Sequence, residues 1–159
     1  MLMTTQPGSS GVRIFPPAIH VVAIILGFLV QWVAPVRIGG SGGRLALLAG
    51  CVLLGIAAGL IVWTAALMSR AGTTPNPTKP TTALVLRGPF HLTRNPMYLA
   101  WEFICVGVGL VANALWPIVM AAPAALVTYR LVISKEERYL ESKFGAEYRD
   151  YKARVRRWV

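Results

Sequence analysis

Residues 97–133 read MYLAWEFICVGVGLVANALWPIVMAAPAALVTYRLVI, an apolar tract broken only by Glu102, Asn113, Pro117, Pro123 and Arg130. As one helix rising about 1.5 Å per residue it would extend about 55 Å, nearly twice the roughly 30 Å hydrocarbon thickness of a bilayer, so the chain should fold back on itself. Asn113 is the natural turn. Pro117 follows soon after it, where the first turn of a new helix tolerates proline. The reading is a hairpin of two membrane helices, Met97 to Ala112 and Ala114 to Ile133, the first of them short for a full crossing.

Two more apolar stretches precede the hairpin. Ala18 to Val36 is interrupted only by His20 and Gln31 and opens after Pro16 and Pro17, which suit a helix start because their missing N–H groups would be unpaired there anyway. Leu45 to Met68 carries no charge and is long enough to cross the hydrocarbon. The composition of the whole 159-residue chain agrees: 55% hydrophobic, 14% charged, mean hydropathy +0.58. A soluble domain carries about 25% charged residues, so disorder is excluded and a bilayer is the expected solvent. The formal charge of +10 would suit nucleic acid only if the cations formed a basic face on a soluble module, whereas here they flank apolar segments. Cys51 and Cys105 sit inside apolar runs and read as packing. The expected architecture is a single all-α domain over 1–159: a polytopic membrane protein with four transmembrane helices, the last two a hairpin, and a C-terminal amphipathic helix.

Cation placement orients it. Arg37 and Arg44 alone lie between the first two spans, and the hairpin tip has no cation. Arg13, Arg70, Lys79, Arg87, Arg94 and almost all the cations after Arg130 fall on the opposite side. The positive-inside rule puts both termini and the 70–96 loop in the cytoplasm. A secretory leader is the alternative for the first span, but no persuasive small-residue cleavage site follows before the Gly39 to Gly43 loop, and the span counts as a retained helix.

Chemistry is therefore expected in two cytoplasmic segments. The loop opens with Thr73, Thr74, Pro75, Asn76, Pro77, Lys79 and Pro80, where successive prolines forbid helix. It continues through the apolar Ala83 to Leu86 to Gly88, Pro89, Phe90 and His91, and ends at Arg94, Asn95 and Pro96, an ordinary N-cap for the third span. Stiffened loops beside a membrane commonly hold a ligand or partner; a mere linker is the plainer reading. The tail at 134–159 places Leu140, Phe144, Tyr148, Tyr151 and Val155 at helical spacing, with a break expected near Gly145 and with Lys143, Arg149 and Lys152 available to anionic headgroups. Most of the six acids lie in this tail, and the adjacent Glu136 and Glu137 stand where the fourth span ends. Ser134 with Glu137 also matches a capping box.

The run Gly88-Pro89-Phe90-His91-Leu92-Thr93-Arg94-Asn95-Pro96-Met97-Tyr98, followed by Glu136-Glu137, Phe144-Gly145, Tyr148, Tyr151, Val155 and Arg157, resembles the isoprenylcysteine carboxyl methyltransferase and phospholipid methyltransferase superfamily. The likeness covers roughly Thr73 to Val159 in the expected order. It implies an integral membrane enzyme using S-adenosylmethionine, with S-adenosylhomocysteine as product, in a cytoplasmic pocket closed by the proline-rich loop and the tail helix. On that resemblance Thr82, Ala83, Leu84 and Val85 line the pocket through backbone contacts and Phe90 packs near the adenosine. Asn95, where the family often has histidine, forms the floor with Pro96, Met97 and Tyr98. Glu136 holds the amino group of the methionyl part, with Glu137 the lesser partner.

The cofactor's charges suit those assignments, since an ammonium wants an acid, a carboxylate wants a donor such as Arg94, and the adenine wants an apolar and aromatic surround. Methyl transfer needs orientation and exclusion of water rather than a nucleophilic side chain, so none is nominated. Where the carboxyl methyltransferase branch places a substrate arginine, one helical turn before the glutamate, this chain has Val132. Arg130 is two residues earlier, and Glu102 is an acid within the hairpin. Both are candidates on the acceptor side, able to pair with each other, because intramembrane ionisable groups face an interior or a pathway. The acceptor is expected to be lipophilic: an isoprenylcysteine-like carboxylate, a lipid amine or a hydrophobic thiol. His20 and His91 lack ligand-spaced companions, so no metal is expected. The tryptophans read chiefly as interfacial anchors. A sterol-reductase-like enzyme using NADPH and a non-catalytic membrane subunit are the rival readings.

Overall fold

Pro16 and Pro17 occupy the first turn of the first helix, α1 (Pro16–Val33), where no intrahelical partner is lost. The computed structural model describes residues 10–12, 14–39, 43–77 and 79–158, and contains no strand among them. Arg13, counted above among the inner-face cations, lies outside the described residues, as do the centre of the Gly39 to Gly43 loop (40–42) and Val159. The second helix, α2 (Arg44–Arg70), takes in the whole uncharged run. A single 3₁₀ turn (Gly88–His91) punctuates the following loop, and α3 (Pro96–Val111) is the first arm of the hairpin.

The second arm differs from the expectation at its far end. It comprises α4 (Leu115–Val119), α5 (Ala121–Thr128), a π-helical turn (Tyr129–Ile133) and α6 (Ser134–Arg154), which follow one another as a helical run of 40 residues from Leu115 to Arg154. The tail helix is thus the continuation of the fourth apolar segment rather than a separate element. The capping box at Ser134 and Glu137 does not form, because this point is no helix N-terminus: Ile133 is already helical and Ser134 Oγ donates back to the Arg130 carbonyl at 2.9 Å. Among the described residues three helical runs are long and apolar enough to cross a membrane, α1, α2 and Leu115–Arg154; α3 is apolar but shorter.

Asn113 makes the hairpin turn, with φ at 51°, a conformation that asparagine tolerates better than most residues. Its side chain does more. Oδ1 accepts from the backbone N–H groups of Ile38 and Gly39, each at 3.0 Å, which ties the α1–α2 connection to the hairpin tip. Trp116 Nε1 donates to the Ala34 carbonyl at 2.7 Å, adding a second tie at the same end.

The most extensive helix contact is α2 on α3. It is close because Gly50 meets Gly107: a Cβ on Gly50 would stand 2.8 Å from the Gly107 carbonyl oxygen and 2.9 Å from the Val111 nitrogen. Small residues at such crossings let backbones approach where lipid supplies no hydrophobic drive between helices. Away from this seam the helices present large apolar side chains outward, among them Trp32, Leu45, Val52 and Val62. Of the other tryptophans, Trp101 lies against the His20 ring and Trp158 packs on the cluster of Val12, Tyr98, Val132 and Ile133, so anchoring does not describe them.

Gly50→Leu should separate α2 from α3 and lower stability by about 1–3 kcal/mol, the usual cost of overpacking. Gly59→Leu, at a position where an added Cβ meets nothing within 4 Å, should leave the thermal midpoint in detergent nearly unchanged.

Candidate functional site

Two segments far apart in sequence meet over the end of the helix hairpin. The first is the 71–95 loop, anchored where it leaves α2: the Thr82 hydroxyl donates to the Gly72 carbonyl at 2.6 Å and its N–H donates to Thr73 Oγ1 at 3.1 Å. The second is α6, which turns at Gly145 (φ 54°, ψ −120°) as the sequence suggested and carries Tyr148 and Tyr151 back over the loop. The Tyr151 hydroxyl donates to the Phe90 carbonyl at 2.7 Å.

The last residues complete the join. The Arg94 N–H donates to the Arg156 carbonyl at 3.0 Å. The Thr93 hydroxyl and Asn95 Nδ2 both donate to the Arg157 carbonyl, at 2.9 and 3.0 Å. Asn95 begins α3 as expected, but its side chain is spent on the tail and caps nothing. Arg157 grips Glu137 with two bonds, Nε to Oε1 at 2.8 Å and Nη2 to Oε2 at 2.9 Å, the fork geometry that makes such pairs strong. Arg94 Nη1 adds a third cationic contact to Glu137 at 3.3 Å.

Between these segments lies a cleft of about 830 Å³, its open mouth included. Thr64 and Met68 of α2 form one side, and Ala83, Leu84, Val85 and Phe90 come from the loop. Arg94 to Tyr98 make the floor, while Glu136, Glu137, Leu140, Tyr148 and Tyr151 come from α6. Of the cofactor residues named from the sequence, Ala83, Leu84, Val85, Phe90, Arg94, Asn95, Pro96, Met97, Tyr98, Glu136 and Glu137 are brought together here. Thr82 is not: it is exposed and holds the loop's base instead.

The two adjacent acids behave differently. Glu136 is recessed in the cleft wall with one hydrogen bond to Oε2, from the Tyr98 hydroxyl at 2.7 Å. Burial pushes its carboxyl up to about 7; the Tyr98 bond opposes that shift and the charge of Glu137 adds to it. Burial also works against an ionised Glu137, but the bonds from Arg157 and the charges of Arg94 and Arg157 outweigh it and hold that carboxyl below its ordinary range. Glu137 is the structural anion, and Glu136 faces the cleft with no cation paired to it among the described residues.

Polar atoms without partners line the same space. Thr64 Oγ1 and Arg94 Nε and Nη1 are buried without a hydrogen bond among the described residues, the Nη1 contact to Glu137 being an ion pair alone. Thr64 and Met68 were missed in the sequence. The usable signal was a hydroxyl inside an uncharged helix, one turn before a methionine on the same face.

The two acceptor-side candidates stand apart from the cleft and from each other. Glu102 Oε1 lies 2.8 Å from His20 Nε2. Arg130 is exposed beside a shallower hollow with Tyr129, Arg138 and Lys152, so the Glu102–Arg130 pairing entertained above is replaced by Glu102–His20. His91 is exposed. Among the described residues no group of three or more His, Cys, Asp or Glu is arranged to hold a metal ion.

Residues 45–147 match the family described as "Phospholipid methyltransferase". A 34-residue stretch, 21% of this chain, is 62% identical to a Haemophilus influenzae protein described as "Uncharacterized protein" and covers 54% of it, so the chain spans about half the length of that relative. No solved structure matches. These likenesses lend no support to the reductase or the non-catalytic reading. The family match runs from the start of α2 into α6 and takes in the hairpin, the loop and both acids of the cleft, and the chain accordingly belongs to the phospholipid methyltransferase family, whose members are membrane methyltransferases.

Proposed function

We propose that this protein moves a methyl group from S-adenosylmethionine to a lipophilic acceptor that arrives from the bilayer, with the donor held in the cleft between the loop and α6. The observation that carries the reading is the pairing, within one apolar and aromatic cleft, of a recessed carboxyl at Glu136 with the buried Nε and Nη1 of Arg94, which make no hydrogen bond among the described residues. A zwitterionic amino-acid end needs those two groups, and a purine ring needs the apolar walls beside them.

When bound, S-adenosylmethionine supplies an electrophilic methyl on a sulfonium. Glu136 holds the ammonium, oriented by the Tyr98 hydroxyl. Arg94 takes the carboxylate through Nε and Nη1. Phe90, Tyr148, Leu84 and Val85 enclose the adenosine and keep water from the reacting atoms. Glu137 and Arg157 keep the tail closed over the loop. In this reading the protein crosses the membrane four times, with α3 as the short crossing, and the cation bias puts both termini and the cleft in the cytoplasm. Lateral entry of the acceptor is supported by the short connections at the other face. Arg130 points to the second hollow, and Val132 is fully buried, so no arginine occupies the substrate position of the carboxyl methyltransferase branch. That weighs against a prenylated cysteine carboxylate and leaves a lipid amine or a hydrophobic thiol in front.

Calorimetric titration of the purified protein with S-adenosylhomocysteine should show one site. Glu136→Gln should weaken it tenfold to about a hundredfold, the loss of a charged hydrogen bond of about 1.5–3 kcal/mol. Undiminished affinity in that variant would contradict the assignment. The affinity should also depend on pH in a defined direction. An ammonium beside Glu136 favours its ionised form, so binding below pH of about 7 must release a proton and weaken by about tenfold per pH unit, whereas at pH 8 it should release none. Titrations in buffers of different ionisation enthalpy read this directly, and Glu136→Gln should abolish the proton release.

A further inference from the structure

Glu102 is the only acid before Glu136 in the sequence, and it sits in α3 inside the apolar part of the molecule. The proposed donor site does not use it. Its Oε1 lies 2.8 Å from Nε2 of His20, which belongs to α1, is fully buried and lies outside the 45–147 family match. Such a pair is costly to keep among membrane helices, where ionisable residues mark a pathway or a reacting group. Packing does not require it, because α1 already meets the second arm through Gly27, whose Cβ would stand 2.6 Å from the Pro117 Cα.

The surroundings of the pair are defined on every side. His20 Nδ1 lies 3.3 Å from the Pro16 carbonyl, and the Trp101 ring is 5.9 Å from the imidazole. The Cys105 thiol points at the His20 carbonyl at 4.0 Å. One helical turn towards the cleft is Tyr98, whose hydroxyl reaches Glu136. Residues i and i+4 share a helix face, so Tyr98 and Glu102 form a line from the donor's amino-acid end to the His20 ring. The Glu102 side chain is 14% exposed, and its second oxygen meets no donor among the described residues. Neither Glu102 nor His20 lines the donor cleft itself; the open carboxylate oxygen belongs to the residue one helical turn beyond Tyr98 of the cleft floor, with the His20 imidazole held against its other oxygen.

Resting on the proposed function above, we infer that the His20–Glu102 pair is the proton acceptor for the methyl acceptor. As the acceptor's nitrogen or sulfur lone pair forms the new bond to the methyl carbon, the carbon–sulfur bond breaks and its electrons stay on sulfur, leaving a neutral thioether. The acceptor's N–H or S–H proton passes to the free oxygen of Glu102, whose other oxygen stays held against His20 Nε2. His20 is the positioning residue and Glu102 the group that meets the acceptor. The pair serves an acceptor that carries a proton, an amine or a thiol, and has no task for an ionised carboxylate.

The test uses the full-length protein in lipid nanodiscs with saturating S-adenosylmethionine and three probes: decylamine, decanethiol and dodecanoate. Wild type should methylate decylamine or decanethiol in preference to dodecanoate. Glu102→Gln should lower kcat on that probe at least thirtyfold while its affinity for S-adenosylhomocysteine stays within twofold, and Glu102→Asp should restore part of the rate. His20→Gln should give an intermediate loss. Wild-type turnover in Glu102→Gln, or methylation of dodecanoate alone or of none of the probes, would overturn the inference. So would a parallel loss of S-adenosylhomocysteine affinity, which would mark the pair as structural. Failure of the donor-site reading would show differently, as absent S-adenosylhomocysteine binding in the wild type.

Discussion

The contact on which the site depends is the forked pair between Arg157 and Glu137, reinforced by Arg94. It joins three stretches that the chain keeps far apart: the end of the loop, the start of α6 and the last residues of the tail. With the Glu137 side chain 10% exposed and that of Arg94 8% exposed, this is a partly buried cluster, and removing one member of such a cluster leaves an uncompensated charge. Two cations around one acid also explain how the two adjacent glutamates divide their roles. Glu137 is committed to closure, and its neighbour is left facing the cleft with a tyrosine hydroxyl and, among the described residues, no cation.

The route into α6 matters as much as the closure. A π-helical turn spans Tyr129–Ile133, immediately before the acids. Such turns widen the helix by one residue and shift the face on which later side chains emerge, and they recur at functional sites. Across it, Val132 and Ile133 go into the core beside Tyr98, Arg130 goes to the outer hollow, and Glu136 arrives beside the Tyr98 hydroxyl. Arg157 then stacks over the Tyr129 ring at 4.8 Å, which couples the π turn to the closing pair.

Much of this was legible in the sequence because it follows from length and local chemistry. The 37-residue tract was too long for one crossing, and Asn113 supplied the turn. Proline density marked the loop, and the apolar stripe from Leu140 to Tyr151 marked the face that covers it. What escaped were features set by long-range geometry. The Ser134 and Glu137 spacing fits a capping box, but a cap needs a helix end, and the continuous run removed it. Thr82 was given a backbone contact in the cleft by position in the resemblance, whereas it is not among the cleft residues and its N–H and hydroxyl are turned to Thr73 and Gly72 at the loop's base. The His20–Glu102 pair spans 82 positions and exists only because α1 packs beside α3, which no local pattern announces.

The central claim is that the cleft between loop and helix holds the methyl donor. Its most direct test is titration with S-adenosylhomocysteine of wild type and of Ala83→Trp, which puts an indole into the cleft and leaves Glu136, Arg94 and the closing ion pairs unsubstituted. The account predicts saturable one-site binding in the wild type, displaced by S-adenosylmethionine and not by NADPH, and no detectable binding in a folded Ala83→Trp protein. Equal binding to both proteins, or displacement by NADPH, would contradict it.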